Sequence, residues 1–290
     1  MWAEFFSPTK KNKVRNKKMG NHEQKPVEKL TFTDDGMFQA VLRDPAICAE
    51  FVELLLGVRV KSVDYPVLEK AIKPFYTSKG VRLDVYLKDE DKVIDVELQA
   101  QPQEALGKRV RYYDAMLDMD CLMKGEDYPD LKESYVLFIC KQDPFEYEKD
   151  KPFGLPRYTF RNICQENNLV NLDDKSLKVI YNASAYEKEK DEKIRALLRF
   201  VQTNEPGTDD FASRLSEIVE RLKENEQFKE EYARMNLHDR DLIRETKREA
   251  YAEKAIEDAK KLLADGKYTA EEISGLLGIP IESFAEPPQA

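Results

Sequence analysis

Histidine is nearly missing from the 290 residues, with only His22 and His238 present. A histidine-built metal site and a serine or cysteine triad are thereby excluded, and any hard chemistry falls to carboxylates. Cysteine is almost as scarce. Cys48, Cys121, Cys140 and Cys164 are scattered, mostly within apolar runs, and show no Cys-x-x-Cys spacing. They read as reduced core residues and not as disulfides or zinc ligands. No stretch approaches the roughly 20 apolar residues of a membrane span, and the N-terminus has no apolar signal-peptide core, so a cytoplasmic location without membrane contact is expected. Positive charge is outweighed too. A formal net charge of -9 counts against a general nucleic-acid binder, although it leaves room for a local basic groove.

What is plentiful is charge, at 36% of residues, and its patterning is most informative between residues 81 and 99. Val81, Leu83, Val85 and Leu87 alternate with Arg82, Asp84 and Tyr86; Ile94, Val96 and Leu98 alternate with Asp95, Glu97 and Gln99. This period of two predicts a β-hairpin whose strands each carry one apolar and one charged face. A two-residue turn at Glu90 and Asp91 opposes Asp84 to Glu97, Arg82 to Gln99 and Tyr86 to Asp95, with opposed Cβ atoms about 5 Å apart. Two carboxylates that close repel unless a cation sits between them, and a divalent metal is the usual one. The competing reading is an ordinary hairpin with acids on its wet face.

Asp84, twelve residues, then Glu97-Leu98-Gln99 resembles the active-site signature of the PD-(D/E)XK nucleases, in the form carried by the recombination-promoting nuclease/transposase family. Ser78-Lys79-Gly80-Val81-Arg82-Leu83-Asp84-Val85, Lys108-Arg109-Val110-Arg111-Tyr112-Tyr113 and Lys124-Gly125-Glu126-Asp127-Tyr128 are similar to that family as well. The likeness runs from about Leu30 to Asn182 and is looser in the C-terminal helices. Val81-Arg82-Leu83 stands where the older motif has a proline before the aspartate, and Gln99 replaces its lysine, so the ammonium that would position a water or stabilise charge is absent.

The resemblance implies an α/β, restriction-endonuclease-like fold: an αβββαβ core with a mixed sheet, followed by a C-terminal α-helical region. It also implies a metal-dependent endonuclease acting on DNA, with a link to recombination or transposition. Asp84, Glu97 and the Leu98 carbonyl would bind Mg²⁺ or Mn²⁺, and Gln99 would orient the attacking water. Arg82 would stabilise the phosphate, and Asp95 would be a further ligand or an acid behind the ligands. A homodimer would serve if two copies cut two strands.

The rest of the chain divides by composition. Residues 1–25 hold Lys10, Lys11, Lys13, Arg15, Lys17 and Lys18 with little apolar periodicity and read as a disordered basic arm, with Met19 an alternative start. Residues 26–145 read as the nuclease-like core. In it, Asp44-Pro45 caps and opens a helix that Gly57 ends. Glu50 and Glu53 lie on that helix; nucleases of this fold sometimes add such an acid to the metal site, and the alternative is a solvent-facing glutamate. Val58 to Lys73 is an irregular first strand limited by Pro66 and Pro74. Leu106, Val110, Tyr113, Leu117 and Cys121 form one helical stripe, closed by Gly125. Ser134 to Cys140 reads as a strand covered on both faces.

On the helix after the hairpin, Lys108, Arg109 and Arg111 stand beside Tyr112 and Tyr113, a basic and aromatic cluster suited to a nucleic-acid backbone and its bases. Residues 146–185 read as loop and short strands extending the core, and 186–290 as charged helices whose apolar stripes need a second helical layer or a partner helix. A nuclease fold that serves as a binding or assembly module through those helices, catalytically weak or inactive, is the alternative from another class. It is favoured by Gln99 and the net charge. An RNA-directed nuclease is a third reading, for which no recognition module is visible.

Overall fold

The computed structural model describes residues 25–60, 66–72 and 81–285, with the backbone alone for 235–253. The basic arm through Lys18, Met19, Pro74 and the flank Ser78-Lys79-Gly80 lie outside the described residues.

Two short helices open the fold, α1 (Asp35–Val41) and α2 (Pro45–Leu56). The second starts where the sequence says it should: the Asp44 carboxylate accepts from the Ala46 and Ile47 amides, and Gly57 ends the helix with φ +68°. The left-handed conformation there suits glycine, which has no Cβ to clash. Strands β1 (Val67–Ile72), β2 (Val81–Lys88) and β3 (Lys92–Gln99) follow, then α3 (Leu106–Cys121) and β4 (Glu133–Cys140). From α2 to β4 the order is αβββαβ. A small hairpin, β5 (Glu146–Glu148) with β6 (Lys151–Pro152), precedes β7 (Arg157–Phe160) and β8 (Ser176–Asn182). The chain ends in α4 (Glu192–Thr203), α5 (Asp210–Lys223), α6 (Glu226–Ala264) and α7 (Ala270–Leu277).

The main sheet has the order β1-β2-β3-β4-β8-β7. β3, β4 and β8 run parallel at its centre, and antiparallel partners flank them on both sides. The parallel strands are covered on both faces, as their near-continuous apolar runs require. One face carries Val85, Leu87, Ile94, Val96, Leu137, Ile139 and Tyr181 and packs against α1, α2, α4 and α5. Phe32 is its hub, with ring centroids 5.4 Å from Phe38 and 5.3 Å from Phe200. The other face packs Leu83, Tyr86, Val93, Val136 and Phe138 against Leu106, Val110 and Leu117 of α3.

Two expectations are corrected. Helix α3 stops at Cys121, with Leu122 already extended, so Gly125 lies beyond its end. More consequentially, Val81, Leu83, Val85 and Leu87 do not share a face. Val81 and Leu83 belong to the α3-side core, whereas Val85 and Leu87 belong to the opposite one. The inversion falls at Asp84. On β1 it has a counterpart, since Leu68 and Ile72 also go to opposite layers and Glu69 between them has φ +53°. Leu68 pairs with Val85 and Lys70 with Leu83, leaving Glu69 and Asp84 as the interrupted step of the ladder. A non-glycine residue in that backbone region is strained and tends to mark a functional position.

Candidate active site

The β2–β3 turn is the two residues Glu90 and Asp91: the Asp89 amide donates to the Lys92 carbonyl at 2.9 Å, and Tyr86 pairs with Asp95 in the expected register. The regular ladder closes with Val85 opposite Val96. Beyond it the strands splay, and carboxylates replace carbonyls as acceptors. Asp84 N–H donates to Glu97 Oε1 at 2.8 Å, and Leu98 N–H donates to Asp84 Oδ2 at 3.3 Å. Each acid thus clasps the backbone of the other strand, which is how the hairpin brings Asp84 and Glu97 together.

The charged face of β3 is not wet. Asp95, Glu97 and Gln99 are 0%, 3% and 5% exposed, roofed by α3. From that helix Arg109 reaches inward. Its guanidinium donates to Glu97 Oε2 at 3.1 Å and to Gln99 Oε1 at 3.2 Å, contacts Gln103, and lies 4.9 Å from the Phe138 ring centroid and 5.4 Å from that of Tyr113. Arg109 is therefore a partner of the carboxylates, bound on the inner side of the helix. Its helix neighbours Lys108, Arg111 and Tyr112 line, together with Arg82, a cavity of about 660 Å³ beside it. Arg82 itself lies 3.7 Å from Glu69 Oε1 and pairs in the ladder with Ala71 of β1.

Burial and mutual repulsion dominate the electrostatics. Asp84 is pushed up to about 6, by burial first and then by the negative charge of Asp35, against the opposing Leu98 amide, Arg109 and Arg82. Glu97 is pushed up to about 8, by burial and the charge of Asp84, with the Asp84 amide and Arg109 pulling the other way. Asp95 is raised well above the carboxylate range by burial, then by Glu97 and Asp84. Neither of its oxygens meets a backbone or basic side-chain donor, and the neighbour it can share a proton with is the Glu97 carboxyl. Such a cluster is costly as a set of bare anions and binds protons or cations to relieve itself.

Glu53 stands elsewhere. Its Oε1 accepts from the Val60 amide at 2.8 Å, tying it to the segment after α2. The helical acid whose charge reaches Asp84 is Asp35, the first residue of α1. Sequence reasoning missed it, and its signal was modest: an acid in the first turn of a helix directly before the core.

The donors suit a hard divalent cation, which takes one or two carboxylates and fills the rest of its shell with waters and phosphate oxygens. The unsatisfied oxygens of Asp95 and the raised carboxyls of Asp84 and Glu97 are the structural sign of that fit. Among the described residues no three acidic, histidine or cysteine side chains form a ready-made cage. No described helix is long and apolar enough to cross a membrane. No curated protein and no solved structure matches the chain. Over residues 42–266 it matches the family model described as PD-(D/E)XK nuclease family transposase, and it belongs to that family.

Proposed function

We propose that this protein is a metal-dependent endonuclease hydrolysing phosphodiester bonds of DNA, in a recombination or transposition setting. The observation that carries the reading is the acid cluster: Asp95 and Glu97 are drawn out of water, Asp84 lies half-buried beside them across the hairpin, and neither Asp95 oxygen meets a backbone or basic side-chain donor. A fold does not retain such a cost without a return in binding or chemistry.

In this reading Asp84, Glu97 and the Leu98 carbonyl hold Mg²⁺ or Mn²⁺, with Asp95 behind them or as a further ligand. When bound, the ion activates a water and offsets charge on the phosphoryl oxygens. Gln99 presents its amide N–H to orient the water, because its carbonyl oxygen already accepts from Arg109. Arg109 supplies the positive charge that the glutamine cannot, within reach of both Glu97 and Gln99. Arg82, Lys108, Arg111 and Tyr112 line the adjoining cavity and receive the strand by its phosphates and bases.

Calorimetric titration of Mn²⁺ into wild type and Glu97→Ala, with plasmid nicking on the same samples, tests the proposal. Binding and nicking by wild type alone are expected. A wild type that neither binds metal nor nicks DNA would overturn it. The alternative, a nuclease fold acting as a binding module through its C-terminal helices, draws on the Arg109–Glu97 ion pair at 3.1 Å, which occupies an oxygen the ion needs. It predicts a Glu97→Ala protein with unaltered partner binding.

A further inference from the structure

A second recess lies along one flank of α3, between that helix and strands β7 and β8, with a volume of about 490 Å³. Its walls are Phe145 and Phe160, whose ring centroids are 5.5 Å apart, and Phe160 is 44% exposed despite its size. Arg111 and Arg161 stand at its rim, both exposed and neither in an ion pair among the described residues. Lys178 also lines it and is held by Asp114 at 2.7 Å, while Arg161 also borders a neighbouring recess that Glu133, Asp173 and Asp174 line. Val110 and Ile180 are its buried lining residues, and the exposed Gly107 lines it as well, where a Cβ would meet no atom within 4 Å.

Arg111 lines both this recess and the cavity that Arg109 also lines, so one side chain borders both. We infer that the recess is a subsite for an unpaired nucleotide of the DNA strand that enters the acid cluster. Its base stacks on Phe160, and its phosphates are held by Arg111 and Arg161. The volume falls in the range of small-molecule sites, and an aromatic wall with a cationic rim is what an unstacked base and its backbone need. A duplex keeps its bases stacked on one another and offers the ring nothing. This deepens the nuclease reading, and rests on it for the identity of the strand.

The test is fluorescence polarisation of a labelled oligothymidylate with the full-length protein in EDTA, where cleavage is suppressed, alongside a duplex of the same length. Phe160→Ala is expected to weaken single-strand binding about 5- to 100-fold while Phe160→Tyr preserves it, as for the loss and retention of one stacking platform. Gly107→Leu, which adds a side chain to the lining where a Cβ meets no atom within 4 Å, should weaken it similarly. Duplex binding should change less than about twofold, since its bases are not available to stack. The subsite is overturned if wild type does not bind the oligothymidylate, if Phe160→Ala and Gly107→Leu bind it as wild type does, or if duplex binding falls equally. Nicking by wild type with unaltered oligothymidylate binding by the variants would sink the subsite and leave the nuclease reading. Loss of binding in the variants of a protein that never nicks would do the reverse.

Discussion

Arg109 and the three carboxylates it serves make the most exact demands on individual residues. Glu97 is 4% exposed at its side chain and Arg109 24%, so Arg109→Gln leaves a buried negative charge short of its partner. A loss of about 3 kcal/mol in stability is expected, read by urea unfolding at about pH 9, where Glu97 has lost its proton, together with at least about a tenfold loss in nicking rate if the guanidinium also steadies the phosphate. The raised carboxyls make a second prediction. Because Asp84 is held up to about 6 and Glu97 up to about 8, the folded state binds more protons than the unfolded chain between the ordinary carboxylate range and those values. Stability of the metal-free protein must therefore fall as pH rises through that window. Thermal melts in EDTA should be highest near pH 5 and lower near pH 8, and Mn²⁺ should restore the high-pH samples most, because ligands that have lost their protons bind it best. Melts that rise with pH in EDTA would contradict the assigned cause.

Local chemistry decides how the elements begin, and long-range packing decides which way they face. The Asp44 side chain accepts from the Ala46 amide at 2.9 Å and the Ile47 amide at 3.1 Å, so Asp44→Ala should cost about 1 kcal/mol with no effect on the acid cluster. This much was visible in Asp44-Pro45. The hairpin's turn was visible as well, since alternation on both sides of Glu90 and Asp91 admits one register that keeps the apolar residues together. The inversion at Asp84 was not visible. An alternating pattern reports that apolar side chains take turns, but both faces of this sheet are covered, so Leu83 and Val85 can each find a core on opposite sides. Arg109 was hidden for a related reason: its place in the basic run suggested an outward helix face, whereas its guanidinium reaches Glu97 and Gln99 of β3.

For the molecule as a whole, the C-terminal helices are part of what holds the sheet. Ile194, Leu197, Phe200, Phe211, Leu215 and Val219 from α4 and α5 share one core with Phe32, Phe51 and the sheet residues. Phe200→Ala should therefore destabilise the chain by about 3 to 5 kcal/mol, and a chain ending at residue 185 should lose its cooperative melting transition, checked by circular dichroism. Independent melting of the shortened chain would show that the sheet and α1, α2 and α3 suffice.

By itself the sequence determined the helix, hairpin, helix and strand of the core, with the weak first strand supplied by the family resemblance, and likewise the caps of α2, the turn between β2 and β3, and the register that brings Asp84 near Glu97. Each follows from contacts a few residues apart or from a repeat matched to helix or strand. The tertiary structure alone decided that Asp95 is sealed from solvent, that the charge of Asp35 bears on Asp84, and that Arg109 takes the place beside Gln99. It also decided that α4 and α5 cover the sheet. An amphipathic stripe states that something must cover it, and a charged residue states only that it needs a partner. Which surface and which partner are settled when elements distant in sequence meet, because burial and the field at a site are sums over all the layers that close around it.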